Sequence, residues 1–158
     1  MTSRGAWLRT GLTVGVVVAV DQLTKKLARD GVRPGDEDPI FPALKLVNVR
    51  NEGVAFGIEA GGKTLVIALI ALALLALVLY FARHTARPLI WLPTGMLVGG
   101  ALGNIVDRIR DGAVTDFLKI PAWPAFNVAD IAITFGVLAL LYVLEGPPRR
   151  AEEDQGPA

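Results

Sequence analysis

The chain has 158 residues, 53% of them hydrophobic and 20% charged, with a formal net charge of +1 and a mean hydropathy of +0.49. So apolar a chain of this length fits one integral membrane domain better than a soluble one, and its mixed charges offer no extended cationic face for nucleic acid. It has no cysteine, one histidine (His84) and one serine (Ser3), which excludes disulfides, thiolate nucleophiles, Ser-His-Asp and Ser-Lys arrangements and His-rich metal cages, and leaves carboxylates as the agents of any covalent-bond chemistry.

In chain order, the first predicted element runs from about residue 7 to residue 28 and has an apolar core from Thr10 to Val20. Arg4 and Arg9 ahead of that core also suit a cleavable signal peptide, but no small-residue cleavage site follows and the helical pattern continues through DQLTKKLA, so a retained helix is expected. In the long loop from Asp30 to Lys63, LKLVNVRN alternates apolar and polar residues and predicts a short strand, NEG a turn, and VAFGIEAGG an interfacial segment. Residues 64–82 carry no charge, and a helix of that length is about 28 Å long, one hydrocarbon core. Residues 88–106 are a second uncharged run, with Pro93 and several glycines that membrane helices tolerate. The last span is expected over 125–144, and GPPRRAEEDQGPA from Gly146 reads as a disordered tail. The expected fold is therefore an all-α membrane protein: one domain over 1–145 with four transmembrane helices, and a small extramembrane β-element in the first long loop.

Four spans put both termini on one side and both long loops on the other. Lysine and arginine counts do not settle the orientation, because Arg4, Arg9, Arg83, Arg87, Arg149 and Arg150 face eight basic residues in the longer loops. Whatever the orientation, Asp21, Lys25, Asn51, Asn104, Arg108, Asp116 and Asp130 gather at one end of the bundle.

Each motif there has an ordinary reading. Asp21 and Lys25, in DQLTK, are four apart and can pair at a helix end near the headgroups or brace a site. In NEGVAFG, Asn51 and Gly53 suit a plain turn or a backbone-binding one. Asn104 and Arg108, in GNIVDR, share a helical face; Arg108 either snorkels to the interface or fixes a carboxylate or a loop carbonyl. Asp107, Arg110 and Asp111 read as headgroup contacts. Asp116 in a loop could be solvated charge, and Asp130 at the head of an apolar helix an N-cap. As a pair they say more. PAWPAF can fold the chain back over the bundle mouth, and two carboxylates in a poorly solvated place share a proton, so one can take a proton from water while the other polarises a carbonyl.

In this order across four spans, DQLTK, NEGVAFG, GNIVDR, VTDF and FNVAD resemble the lipoprotein signal peptidases (signal peptidase II) of bacteria, and the resemblance covers residues 7–144. It implies an aspartyl endopeptidase of the inner membrane, with both termini cytoplasmic and the site near the outer face. The substrates it implies are prolipoproteins, cut just before a cysteine that already carries diacylglycerol. Asp116 and Asp130 would be the catalytic dyad. Asn51, Gly53, Asn104, Arg108 and Asn127 would orient it or hold the substrate backbone, with Asp21 and Lys25 supporting the mouth. The expected enzyme needs no metal or cofactor and works as a monomer with membrane lipid and signal peptides as partners. Glu52 and Thr115 are more polar than the family suggests, which bears on substrate preference. Two rivals are a proton-relay or transport subunit, which should spread acids through the membrane depth, and a tetraspan scaffold, which should tolerate Asp116→Asn. A presenilin-type site would need GxGD, which is absent.

Overall fold

The computed structural model describes residues 2–53 and 60–145. The tail from Gly146 and most of the expected interfacial segment, including VAFG of the second motif, lie outside the described residues. Four helices account for most of the chain: α1 (Ser3–Gly31), α2 (Ala60–Arg83), α3 (Trp91–Asp111) and α4 (Val128–Glu145). They occupy the four stretches read as spans. Among the described residues, α4 is the one helix long and apolar enough, at hydropathy 2.0, to cross a membrane by composition alone. α1 and α3 carry charged residues at their ends, both exposed ones and the buried Asp21, Lys25 and Asp107, which lower their averages.

Glycine decides how the bundle packs. Gly95, Gly99 and Gly103 recur every four residues and turn one face of α3 toward α1, in parallel register with Thr13, Val17 and Asp21. A Cβ on Gly99 would lie 2.8 Å from the Val17 Cβ, and one on Gly103 would lie 2.5 Å from Asp21 Oδ2, so the helices touch backbone to side chain. On the neighbouring face, Gly100 admits the Ala129 carbonyl of the antiparallel α4. Pro93 lies in the first turn of α3, where its missing N–H removes no intrahelical bond. At this end of the bundle Ala6, Phe81, Ile90 and Val143 form a small core, with the Trp7 and Phe81 rings edge to face at 4.8 Å.

The expectation of an all-α chain with its β-element in one loop is corrected. Besides the expected strand, now β2 (Leu44–Asn51), the sheet contains β1 (Glu37–Phe41) and β3 (Val114–Lys119), in the order β1-β2-β3, all antiparallel. β3 comes from the second long loop, so the stretch read as a loop carrying Asp116 is a strand. Its VTDFL is rich in β-branched and aromatic types, but its partner lies more than sixty residues back in the chain. β1 stays at an edge, where a proline such as Pro39 is tolerated, and its pairing with β2 becomes irregular just after it. The PAWPAF turn folds back as expected: Phe126 N donates to Leu118 O and Leu118 N to Phe126 O, each at 2.9 Å. Within that turn Ala122 adopts φ 59°, a left-handed conformation unusual for a residue with a Cβ.

Candidate active site

The site is built where the ends of α1 and α3 meet the start of α4 under the sheet. Asp21 and Lys25 are both fully buried and pair at 2.8 Å. Lys25 Nζ has three donors, and three acceptors surround it: Asp21 Oδ2, Asn104 Oδ1 at 2.9 Å and Asp107 Oδ2 at 3.0 Å. Asp107 was read as a headgroup contact; instead it is fully buried, facing α1. Its Oδ2 also accepts from the Thr115 backbone N–H at 3.2 Å, and its Oδ1 from Gln22 Nε2 at 2.9 Å. Arg110 and Asp111 pair with each other at the surface.

Helix α4 begins with a reciprocal cap. Asn127 is the N-cap, its Oδ1 accepting from Asp130 N at 3.0 Å, while Asp130 Oδ2 accepts from Asn127 N at 3.1 Å. Asp130 is thus the third residue of the helix rather than the N-cap its position suggested. Asp21 Oδ1 accepts the next open amide, Ala129 N, at 2.8 Å, so α1 holds the end of the helix that carries Asp130.

The two aspartates meet through amides. Asn127 Nδ2 donates to Asp116 Oδ1 at 2.7 Å and to Asn104 Oδ1 at 3.2 Å, and Asn104 Nδ2 donates to Asp130 Oδ1 at 2.9 Å. From β2, Asn51 Nδ2 donates to Asp116 Oδ2 at 2.8 Å while its Oδ1 accepts from Gly53 N at 2.9 Å. Gly53 has φ 73°, which a side chain would strain. Asn51 thus closes the turn with its amide oxygen and bonds Asp116 with its amide nitrogen. Arg108 Nη1 donates to the Asn104 carbonyl of its own helix at 3.3 Å. Of the expected residues, Asp21, Lys25, Asn104, Asp116, Asn127 and Asp130 form one connected cluster with Asn51 and Gly53 at its rim. Arg108 touches the cluster through that carbonyl.

Asp116 is 2% exposed, and burial pushes its carboxyl above the ordinary range; the Asn51 bond opposes the shift and the nearby Asp130 charge adds to it. A groove of about 490 Å³ opens onto it, lined by Val49, Arg50, Asn51, Glu52, Asp116, Pro124 and Ala125. Sequence reasoning missed Gln22 and Arg29, whose Nη1 donates to Thr115 Oγ1 at 3.0 Å, and it gave Asp107 and Thr115 other roles than the bond between them. The three-residue step from Asn104 to Asp107, which shares a helical face, was the one available signal. Among the described residues every buried side-chain N or O atom has a hydrogen-bond partner, as a precisely held polar site requires.

Two carboxylates joined by amides at one end of a helix bundle can share a proton and serve as acid and base, the chemistry an aspartic hydrolase requires. The family model described as signal peptidase (SPase) II matches residues 13–145. The lipoprotein signal peptidase of Moorella thermoacetica is 40% identical over 136 residues, covering 82% of this chain and 87% of its own length. That of Rhodopseudomonas palustris (strain CGA009) is 39% identical over 155 residues, covering 85% and 91%. A structure described as a bacterial membrane enzyme, solved by the in meso method at 1.9 Å, matches with a TM-score of 0.76 and 33% identity over 85% of this chain and 91% of its own. A second, at 2.3 Å, matches with a TM-score of 0.77 and 30% identity over 92% and 93%. The chain belongs to the signal peptidase II family and is an aspartic peptidase of the membrane.

Proposed function

We propose that this chain removes the signal peptide from prolipoproteins whose cysteine already carries diacylglycerol, cutting just before that cysteine with a water activated between Asp116 and Asp130. The observation that carries the reading is the continuous link from Asp116 through Asn127 and Asn104 to Asp130, at the edge of a groove open to an extended peptide.

The proton shared by the dyad rests on Asp116, whose burial favours the neutral form. Asp116 donates it to the scissile carbonyl oxygen while Asp130 takes a proton from water, and the hydroxide adds to the carbonyl carbon. On collapse the C–N bond breaks, the leaving nitrogen takes the proton from Asp130, and the hydroxyl proton returns to Asp116. Asn51, Asn104 and Asn127 hold the carboxylates, Arg108 and the Gly53 backbone engage the substrate backbone, and Asp21 and Lys25 keep the mouth in shape. No metal or cofactor takes part.

Residues 1–145 act as one domain whose four helices span the inner membrane, with cytoplasmic termini and the site near the outer face. Outward leucines and valines support this, among them Leu12, Val16 and Val20 of α1, Leu72 and Leu79 of α2 and Leu138 and Leu141 of α4. The substrate's lipid then lies in the same leaflet as the groove, and the enzyme works as a monomer that meets no nucleic acid.

The test is gel-shift cleavage of a diacylglyceryl-modified prolipoprotein in detergent, with a chelator present. Wild type should cut while folded Asp116→Asn and Asp130→Asn do not. Cleavage by either variant, or loss of wild-type cleavage with the chelator, would refute the mechanism.

A further inference from the structure

Strand direction separates two cavities. Val49, Asn51 and Asp116 line the catalytic groove, whereas Asn48 and Thr115, one residue over on each strand, line a second cavity of about 550 Å³ on the other side of the sheet. Arg29 from α1, Arg110 from the end of α3 and Arg50, which borders both cavities, contribute to its wall, together with Asp111. We infer that this second cavity is a binding site for a phosphate group.

Three guanidiniums and Lys25 stand against Asp111, Asp107 and Asp21, so one positive charge is in excess, and it lies on the guanidinium side. Residue 111 gathers them: Arg50 Nη2 donates to the Asp111 carbonyl at 2.6 Å, and Arg110 Nε and Nη2 donate to its carboxylate at 3.1 and 2.9 Å. Arg29 Nη1 lies 4.0 Å from the same carboxylate while donating to Thr115 Oγ1. The other acid near the group is Asp107, which is 3.9 Å from Arg110 and shares Lys25 with Asp21. A guanidinium has five N–H donors, and these bonds use one of Arg29's, one of Arg50's and two of Arg110's. Donors remain on all three in fixed orientations, the arrangement that binds phosphate oxygens in pairs.

Two sources offer this chemistry, the headgroup of an anionic glycerophospholipid and free phosphate. The first follows if α1 and α3 end in the headgroup layer, and to that extent it rests on the membrane reading proposed above. The site is not the catalytic one, and its occupant is not the peptide that is cut.

The test is native mass spectrometry of the full chain in detergent, titrated with phosphatidylglycerol and phosphatidylcholine in equal amounts, alongside thermal unfolding with inorganic phosphate. Wild type should retain one phosphatidylglycerol adduct in preference to phosphatidylcholine. Arg50→Gln/Arg110→Gln should lose that preference by about tenfold or more, the scale of removing two cations from an anionic surface. Arg110→Gln alone should weaken it, and Arg83→Gln, at the other end of the bundle, should not. If wild type shows no lipid preference but phosphate raises its Tm, and the double variant loses that rise, the site stands with free phosphate as its occupant. Equal retention of both lipids with no phosphate effect, or a preference that survives in a folded double variant, overturns the inference. Because nothing here reads cleavage, failure of the peptidase reading would leave these outcomes interpretable.

Discussion

Asn104 and Asn127 meet amide to amide at 3.2 Å, and each holds one of the two aspartates. Asn104 Oδ1 also accepts from Lys25, so its two lone pairs and its bond to Asp130 join the buried charge cluster to the dyad. Asn104→Ala should therefore leave a buried lysine donor unpaired and Asp130 held at Oδ2 alone, by the Asn127 backbone amide. The expected result is a fall in kcat of about a hundredfold, the scale of an ångström-sized misplacement, with KM little changed. Steady-state kinetics on a lipidated substrate checks it, and a change confined to KM would count against the link.

The raised carboxyl of Asp116 gives a pH dependence with a definite sign. An acid whose pKa is raised keeps its proton to higher pH, so activity that needs this proton is lost as pH rises through the raised value, on the basic limb of kcat/KM. The Asn51 amide favours the ionised form. Asn51→Ala should therefore move the basic limb to higher pH, whatever it does to the maximum rate. A limb that stays put or moves down would place the critical proton elsewhere.

Buried Asp107 is one of three acceptors around Lys25, and removing it leaves Lys25 paired with Asp21 but takes the acceptor from the buried Thr115 N–H and from Gln22. Asp107→Ala should destabilise the fold by about 1–3 kcal/mol, the usual cost of leaving buried donors without their acceptor. Thermal unfolding in detergent would read this as a fall in Tm. A Tm within a degree or two of wild type would return Asp107 to the surface.

Gly103 tests the helix contact itself. Its added Cβ would press on the Asp21 carboxylate, which holds both Lys25 and the Ala129 amide. Gly103→Ala should cost about 1–3 kcal/mol through overpacking, despite the better helix propensity of alanine. If it stabilises the protein, α1 and α3 are not this close.

At the outer edge of the sheet, Glu37 bridges the central strand, bonded to Lys119 of β3 and, at 2.6 Å, to Lys45 of β2. The Lys119 and Lys45 bonds lower its carboxyl to about 2 from 4.5. A depressed carboxyl supports the fold above the unfolded value and loses that support as pH falls, here from about 4.5 toward 2. Protection of the sheet amides from hydrogen exchange, referred to the intrinsic rate at each pH, should fall over that window in wild type and much less in Glu37→Gln. High salt should shrink the difference, because the groups are exposed.

How much of this was legible in the sequence depends on the range of each contact. The Asp21–Lys25 pair and the shared face of Asn104 and Arg108 follow from helical spacing. The fold-back through PAWPAF follows from its prolines and the short separation of Asp116 from Asp130. Asp107 was legible only through its three-residue step from Asn104, because it sits in the charged run DRIRD and its exposure depends on which face α3 turns to α1. The glycines that set that face read only as tolerated residues. β3 was hidden for a related reason: a six-residue strand is ambiguous until its distant partner is known. The N-cap role went to Asn127 instead of Asp130 because helix ends are uncertain by a residue or two.

The β2–β3 pairing shifts register between Leu46 and Val49, after which Val49 lies opposite Asp116 and Arg50 opposite Thr115. That offset acts as a reading frame for side-chain direction. One residue inserted between Gly112 and Asp116, with the strand slipping to absorb it, would turn the carboxylate into the arginine-lined cavity and a threonine or phenylalanine into the groove. The enzyme would keep its composition and its helices and lose its chemistry. Insertions between Lys119 and Pro124 leave the frame intact, so length variation in this protein should be far better tolerated after the strand than before it.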